Sequence, residues 1–157
     1  MFYWRKKMKN VVAEEMIFVN TSFNSQKDLF EFIADTAFGL GRTSDVKSVV
    51  DGFYHREGEY STAMNDGIAI PHCRTESILD ASVIIIRNSE KVIWTEDEEC
   101  DLFFALLVPE SNVNQMHIRI LAQVAQLLLE DEFVAQVRQA NDPSYIFDLV
   151  KELNTVL

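Results

Sequence analysis

The run DLFFALLVP at residues 101–109 decides the fold of this chain. It is apolar without interruption from Leu102 to Val108, and Asp101 and Pro109 bound it. A strand without polar alternation is buried on both faces, which requires helices on both sides of the sheet. The run therefore predicts a central strand in a layered α/β domain.

Other short apolar segments are expected to complete the sheet. They lie at residues 16–19, 68–70, 82–87 and 92–94. Segments in which apolar residues recur at helical spacing separate or follow them. The predicted helices begin after Ser25, near Ser44 and after Pro109, with a short helix at 133–137 and a last one capped by Asp142.

This order of elements predicts the fold class: α/β, with a central mixed β-sheet flanked on both faces by helices. The 157 residues are about the length of one domain. We expect residues 16–157 to form that single domain. Residues 1–15, which include the basic run RKKMK at 5–9, are expected to be a partly disordered N-terminal extension.

Composition excludes several classes of protein. The net charge of −11 argues against a general binder of nucleic acid or of anionic membranes. No apolar run reaches the roughly 18 residues that a membrane span requires, and the N-terminus lacks the pattern of a signal peptide. Cys73 and Cys100 lack the paired short spacings of a zinc site and suit a reducing compartment. We expect a cytoplasmic protein without membrane insertion.

Two of the three histidines occupy unusual positions. His72 comes directly after a predicted strand, where open α/β sheets place ligand sites, and Pro71 before it stiffens the approach. His117 lies on the apolar stripe of its helix, four residues after Val113 and three before Ile120, where an aliphatic residue would cost less to bury. Either histidine, taken alone, is also compatible with a hydrogen-bonded core residue.

Three segments together resemble the enzyme IIA domain of the fructose/mannitol class of the bacterial phosphoenolpyruvate-dependent sugar phosphotransferase system. They are REGEYST at 56–62, GIAIPHCR at 67–74 and LFFALLVPESNVNQMHIRILAQVAQLL at 102–128. The resemblance implies a phosphoryl carrier that needs no cofactor or metal. It implies a donor, the phosphohistidine of the carrier protein HPr, an acceptor, a cysteine of a separate enzyme IIB, and an indirect link to a membrane IIC permease.

The resemblance also assigns roles to residues. His72 would accept the phosphoryl group through Nε2, His117 would help to hold it, and Arg56 would supply positive charge. Phosphoryl transfer depends mainly on positioning and on stabilising charge, and a neutral imidazole is a sufficient nucleophile near pH 7. Nδ1 would then donate its proton to an acceptor that the sequence does not identify.

Ser61 and Thr62 would lie beside the site in lesser roles, and Glu57 would orient its neighbours. Two positions depart from the family pattern, because Cys73 and Ala63 stand where glycine is common. A side chain at either position would be expected to narrow the approach of a partner backbone.

Two other functions remain open from the sequence. One is a regulatory, nitrogen-type relative that is phosphorylated on the same histidine and acts by phosphorylation-dependent binding. The other is a metal-dependent hydrolase built on His72, His117 and a carboxylate, which the absence of an HxxxH or HxH pair disfavours. Cys73 could also serve as a redox or metal-binding thiol, although packing is the preferred interpretation. His55 is expected at the surface.

Overall fold

Strands and helices occur in three groups along the chain: one strand and two helices, then four successive strands, then three helices. The computed structural model describes residues 9–111 and 115–156. The strands are β1 (Ile17–Thr21), β2 (Ile68–Ala69), β3 (His72–Thr75), β4 (Ser82–Thr95) and β5 (Glu98–Pro109). The helices are α1 (Gln26–Gly39), α2 (Val46–Glu59), α3 (Met116–Leu128), α4 (Asp131–Gln139) and α5 (Pro143–Val150). Within the described ranges, no helix is long and apolar enough to cross a membrane.

The five strands form one mixed sheet. β1 runs parallel to β4, β4 runs antiparallel to β5, and β2 and β3 both run parallel to β5 along its other edge. The predicted strands at 82–87 and 92–94 are one strand, β4, whose register against β5 shifts between Arg87 and Val92. The central mixed sheet of the predicted α/β fold is therefore confirmed.

The side chains of β5 alternate between two hydrophobic cores, as the pleat of a strand requires. Leu102, Phe104 and Leu106 belong to the core shared with α3, α4 and α5. Phe103, Ala105 and Leu107 belong to the core shared with α1 and α2. Every one of these side chains is at most 1% exposed. The prediction of a strand buried on both faces is confirmed.

The helix starts are close to their predicted positions. Ser25 Oγ accepts a hydrogen bond from Asp28 N at 3.1 Å, and Asp142 Oδ1 accepts one from Tyr145 N at 3.0 Å. The second helix is capped by Asp45, one residue after the predicted start. A cap of this kind contributes about 1 kcal/mol. Val113, predicted to lie on the long helix after Pro109, falls outside the described residues, and α3 begins at Met116.

Residues 9–12 pack onto the domain. Val11 and Val12 are fully buried, and Arg42 Nη1 donates to the carbonyl oxygen of Asn10 at 2.5 Å. The side-chain amide of Asn154 exchanges two hydrogen bonds with the backbone of Val12, at 2.9 and 3.0 Å. The expected extension at 1–15 includes residues 1–8, which lie outside the described residues. Its boundary at residue 16 stays a prediction, although the core includes residues before it.

Asn154→Ala is expected to lower the free energy of unfolding by about 1–3 kcal/mol, because it leaves the N–H and C=O of Val12 without their partners. Urea denaturation measures the change. The matched control is Asn141→Ala, since Asn141 is exposed and its replacement should change the free energy by less than about 0.5 kcal/mol. Equal changes in the two variants would contradict the prediction.

Candidate functional site

A pocket of about 550 Å³ opens between α2, β3 and α3, where β3 forms an edge of the sheet. Its floor is apolar and includes Leu106, Val108 and Leu121. Its polar lining includes Arg56, Glu59, His72, Arg74 and His117. The fold thus brings together the histidines and the arginine that the sequence predicts to act together, although they come from three separate elements.

The backbone before His72 positions its ring. β2 ends at Ala69, and Ile70 and Pro71 interrupt the strand before β3 begins at His72. Ile70 N donates to the carbonyl oxygen of Thr62 at 3.1 Å, and Leu106 N donates to the carbonyl oxygen of Pro71 at 2.9 Å. Pro71 has no N–H to pair, so regular pairing with β5 is interrupted between β2 and β3, although the carbonyl of Pro71 still bonds to β5. His72 therefore follows strand β2, as the sequence predicts, and it is also the first residue of strand β3.

Both ring nitrogens of His72 are engaged. Nδ1 lies 3.0 Å from the carbonyl oxygen of Ile70, and Nε2 lies 2.9 Å from Nε of Arg56. A carbonyl only accepts and a guanidinium only donates, so Nδ1 carries the proton and Nε2 offers its lone pair. The acceptor that the sequence left unidentified is the carbonyl oxygen of Ile70.

The charge state of His72 follows from the same contacts. Burial lowers its pKa below the ordinary value of 6.5, and the nearby Arg56 cation lowers it further. The hydrogen bond to Ile70 and the carboxylates of Glu57 and Glu59 act in the opposite direction without reversing the shift. The imidazole is therefore neutral near pH 7, with the Nε2 lone pair held by a positive group.

Arg56 is fixed at both ends of its guanidinium. Nε donates to His72, and Nη1 donates to the carbonyl oxygen of Tyr60 at 2.5 Å, just after the end of α2. The guanidinium is planar and presents N–H donors in a fixed fork that matches anionic oxygens. The arrangement therefore places a rigid cationic donor against the imidazole.

His117 lies near the start of α3 and is half-buried. Burial lowers its pKa, and the charges of Arg74 and His72 lower it further. His117, Arg74 and His72 line the same pocket. The apolar stripe on which the sequence puts this histidine therefore faces the pocket at its N-terminal end.

Arg74 is a pocket residue that the sequence reasoning missed. Its Nη2 donates to the carbonyl oxygen of Glu110 at 3.0 Å. Arg74 follows His72 by two positions on β3, so both side chains lie on the same face of the strand. The sequence HCRT at 72–75 could have indicated that Arg74 shares a face with His72, but only if those residues had been predicted to form a strand.

Ser61, Thr62 and Glu57 brace the turn after α2. Glu57 accepts hydrogen bonds from the backbone N–H and the hydroxyl of Thr62 and from the indole N–H of Trp94. Ser61 Oγ donates to Glu98 Oε1 at 2.7 Å. Within the described part of the chain, neither hydroxyl lines the pocket. A direct contact of Ser61 or Thr62 with a phosphoryl group stays a prediction.

The thiol of Cys73 is 1% exposed, and burial raises its pKa to about 12. A thiol with this pKa is protonated at neutral pH and is a poor nucleophile or metal ligand. Among residues 9–111 and 115–156, no group of three His, Cys, Asp or Glu side chains is arranged to hold a metal ion. His55, expected at the surface, is exposed at the rim of the pocket, where it pairs with Glu59 at 3.2 Å.

Comparison with known proteins assigns the chain to one family. The family described as "Phosphoenolpyruvate-dependent sugar phosphotransferase system, EIIA 2" matches residues 10–153. The chain is similar to the fructose-specific EIIA component of Haloferax volcanii, with 26% identity over 148 residues, 93% of this chain and 96% of the relative. It is also 23% identical, over 92% of its length, to the 2-O-alpha-mannosyl-D-glycerate-specific EIIABC component of Escherichia coli, of which it spans 22%.

Solved structures share the fold. The nitrogen regulatory protein IIA-Ntr from Neisseria meningitidis aligns with a TM-score of 0.77 and 23% identity, over 93% of this chain and 95% of that protein. The mannitol enzyme IIA of E. coli, in complex with its phosphorylated enzyme IIB, aligns with a TM-score of 0.75 and 16% identity, over 89% and 96%. At these identities the likeness establishes the architecture alone.

Arg56→Gln is expected to raise the pKa of His72. The replacement removes a neighbouring cation and the N–H that bonds the Nε2 lone pair, and both favour the neutral ring. NMR titration of the His72 ring nitrogens checks this: the wild type should reach half-protonation below 6.5, and the variant at a higher pH than the wild type. Arg119→Gln, at an exposed position of α3, is the control. An unchanged or lower midpoint in Arg56→Gln would contradict the prediction.

Proposed function

Because the chain belongs to the EIIA 2 family of the phosphoenolpyruvate-dependent sugar phosphotransferase system, we propose that it relays a phosphoryl group between two proteins through Nε2 of His72. One observation carries the proposal: the ring of His72 is held in a single tautomer, with Nδ1–H on the carbonyl oxygen of Ile70 and the Nε2 lone pair directed at Arg56. This is the form in which an imidazole attacks phosphorus without the help of a base.

The transfer balances without proton movement on the ring. As Nε2 forms its bond to phosphorus, the N–P bond of the donor phosphohistidine breaks and its electron pair returns to the donor ring. The proton stays on Nδ1, which keeps its hydrogen bond to the carbonyl oxygen of Ile70. In the second half of the relay, a cysteine thiolate of the acceptor attacks phosphorus and the electron pair of the N–P bond returns to Nε2.

Arg56 acts in both states of the relay. In the resting protein its Nε–H occupies the Nε2 lone pair, so it marks the direction along which phosphorus must approach. When phosphorus takes that lone pair, the guanidinium is released and lies beside the equatorial oxygens of the phosphoryl group. Charged donors placed before the reaction stabilise the developing charge at little cost in reorganisation.

His117 and Arg74 extend this set of hydrogen-bond donors. Both line the pocket with His72, and both have side chains that donate hydrogen bonds to anionic oxygens. The apolar floor limits water around the transferred group, which strengthens these interactions. We therefore assign His117 to holding the phosphoryl group and add Arg74 to the positive charge that Arg56 supplies.

The partners follow from the family and from the chemistry. We assign the donor to phospho-HPr and the acceptor to the cysteine of a separate enzyme IIB, which in turn serves a membrane IIC permease. The E. coli mannitol structure, a complex of enzyme IIA with phosphorylated enzyme IIB, supports an acceptor of this kind. The similarity to a fructose-specific EIIA component favours a sugar of that class.

The regulatory alternative shares the first half of the relay. A nitrogen-type protein would be phosphorylated on His72 as well, and its fold likeness to this chain does not separate the two roles. The acceptor does: a transport component passes the group to an enzyme IIB, whereas a regulator binds its target according to its phosphorylation state.

His72→Ala is expected to abolish phosphorylation. Incubation with phosphoenolpyruvate, enzyme I and HPr, followed by intact-mass measurement, should show one acid-labile phosphoryl group on the wild type and none on the variant. His55→Ala, which changes the exposed histidine of α2, should still be labelled. A wild type without label when HPr is charged, or a His72→Ala variant with label, would contradict the proposal.

Arg56→Gln is expected to slow phosphorylation by about 10²–10³-fold, the usual effect of removing one donor that stabilises developing charge. Rapid-quench measurement of label transfer from phospho-HPr gives the rate. Arg119→Gln, which removes a positive charge outside the pocket lining, should change the rate by less than about threefold if screened surface charge is its only effect. If the phosphorylation rate fell equally in both variants, the effect would come from the change in net charge, and the prediction for Arg56 would be contradicted.

A further inference from the structure

The side chain of Cys73 on β3 packs directly against the backbone of Gly52 on α2. A Cβ atom added to Gly52 would lie 2.5 Å from Cys73 Sγ and 3.5 Å from its Cβ. The sulfur therefore occupies the space that a side chain at position 52 would need. Glycine within a helix costs about 1 kcal/mol relative to alanine, and the backbone of Gly52 has no left-handed φ that would require it. The close approach of Cys73 supplies the packing reason.

This contact lies next to the reacting groups on both elements. Cys73 directly follows His72 on β3, and Arg56 follows Gly52 by four residues on α2, on the same face of the helix. The separation of α2 from β3 at this point therefore sets where the guanidinium sits relative to the imidazole. The hydrogen bond between them, at 2.9 Å, tolerates a change of only a few tenths of an ångström.

We propose that Gly52 and Cys73 are paired positioning residues, whose combined size sets the spacing between Arg56 and His72. The inference rests on the proposed function for its effect on phosphoryl transfer, but the spacing itself is a property of the unphosphorylated protein. The side chain of Cys73 points into the core and is covered by α2. Cys73 stands where glycine is common in the family, and Gly52 on the facing helix leaves room for its sulfur.

An added methyl group at position 52 has few other ways to be accommodated. Cys73 is 1% exposed and shares its core with Val49, Phe53, Ala105 and Leu107, all fully buried. Close-packed interiors leave few voids into which the sulfur can turn. The helix must therefore move away from β3, and Arg56 moves with it.

The test compares Gly52→Ala, Cys73→Gly and the double variant with the wild type. The first readout is the NMR signal of Arg56 Nε–H with the ring nitrogens of His72; the second is the rate of phosphorylation by phospho-HPr. Gly52→Ala should lose the hydrogen-bonded signal and slow phosphorylation by about tenfold or more, since misplacement by about 1 Å costs up to 10²-fold. The double variant, in which the methyl group refills the space left by the sulfur, should regain the signal and come within about threefold of the wild-type rate.

Gly58→Ala is the matched control, because Gly58 lies on the same helix and its added Cβ would meet no atom within 4 Å. It should match the wild type in both readouts. Thermal unfolding of every variant separates a folded protein with a displaced Arg56 from an unfolded one. If Gly52→Ala does not fold, the double variant is compared with Cys73→Gly. Cys73→Gly should weaken the Arg56 signal, because the space left by the sulfur lets α2 shift, and the added methyl group of the double variant should restore it.

Two outcomes would overturn the inference. One is a folded Gly52→Ala variant with the wild-type Arg56 signal and rate, which would mean that the sulfur turns aside. The other is a double variant no closer to the wild type than the corresponding single variant. A wild type that HPr never phosphorylates would refute the proposed function, but it would leave the NMR comparison, which needs no phosphoryl donor, to decide the spacing.

Discussion

The burial of β5 on both faces is the constraint on which the rest of the structure depends. Its side chains supply one core beneath α1 and α2 and a second beneath α3, α4 and α5. Because neither face of this strand can meet water without a large loss of hydrophobic free energy, the helices must form two layers. The edge of β5 occupied by β2 and β3 then lies between those layers, and the pocket forms there.

The position of His72 depends on a backbone carbonyl group at that edge of the sheet. The strand along it is interrupted at Ile70 and Pro71, and the carbonyl oxygen of Ile70 accepts a hydrogen bond from His72 Nδ1–H. Backbone groups within strands have fixed partners, so such an acceptor is available only where the ladder is interrupted. One backbone break thus fixes the tautomer of the imidazole and the direction of its lone pair.

Electrostatics in the pocket contrasts with the protein as a whole. The chain carries a net charge of −11, yet Arg56, Arg74, His72 and His117 line one cavity. The two guanidinium cations and the N–H donors of the imidazoles favour a small anion, while the carboxylates of Asp51 and Glu59 in the same lining and the acidic surface around it disfavour a general binder of polyanions. For a phosphoryl carrier, this distribution allows a group with high transfer potential to be held by hydrogen bonds and released to a second protein.

The sequence by itself determined the α/β class and the doubly buried strand, because hydrophobic periodicity is a local property of the chain. It grouped His72 with His117 and Arg56 only through the resemblance to a family, and the structure places the three in one pocket. The sequence did not reveal that residues 72–75 form a strand, since four residues with mixed polarity carry too little periodic signal. Arg74 was missed for that reason. Only the tertiary structure identified Ile70 as the partner of Nδ1 and Gly52 as the partner of Cys73. Those contacts join residues whose relative positions are set by the packing of α2 against β3, and no spacing along the chain encodes that distance.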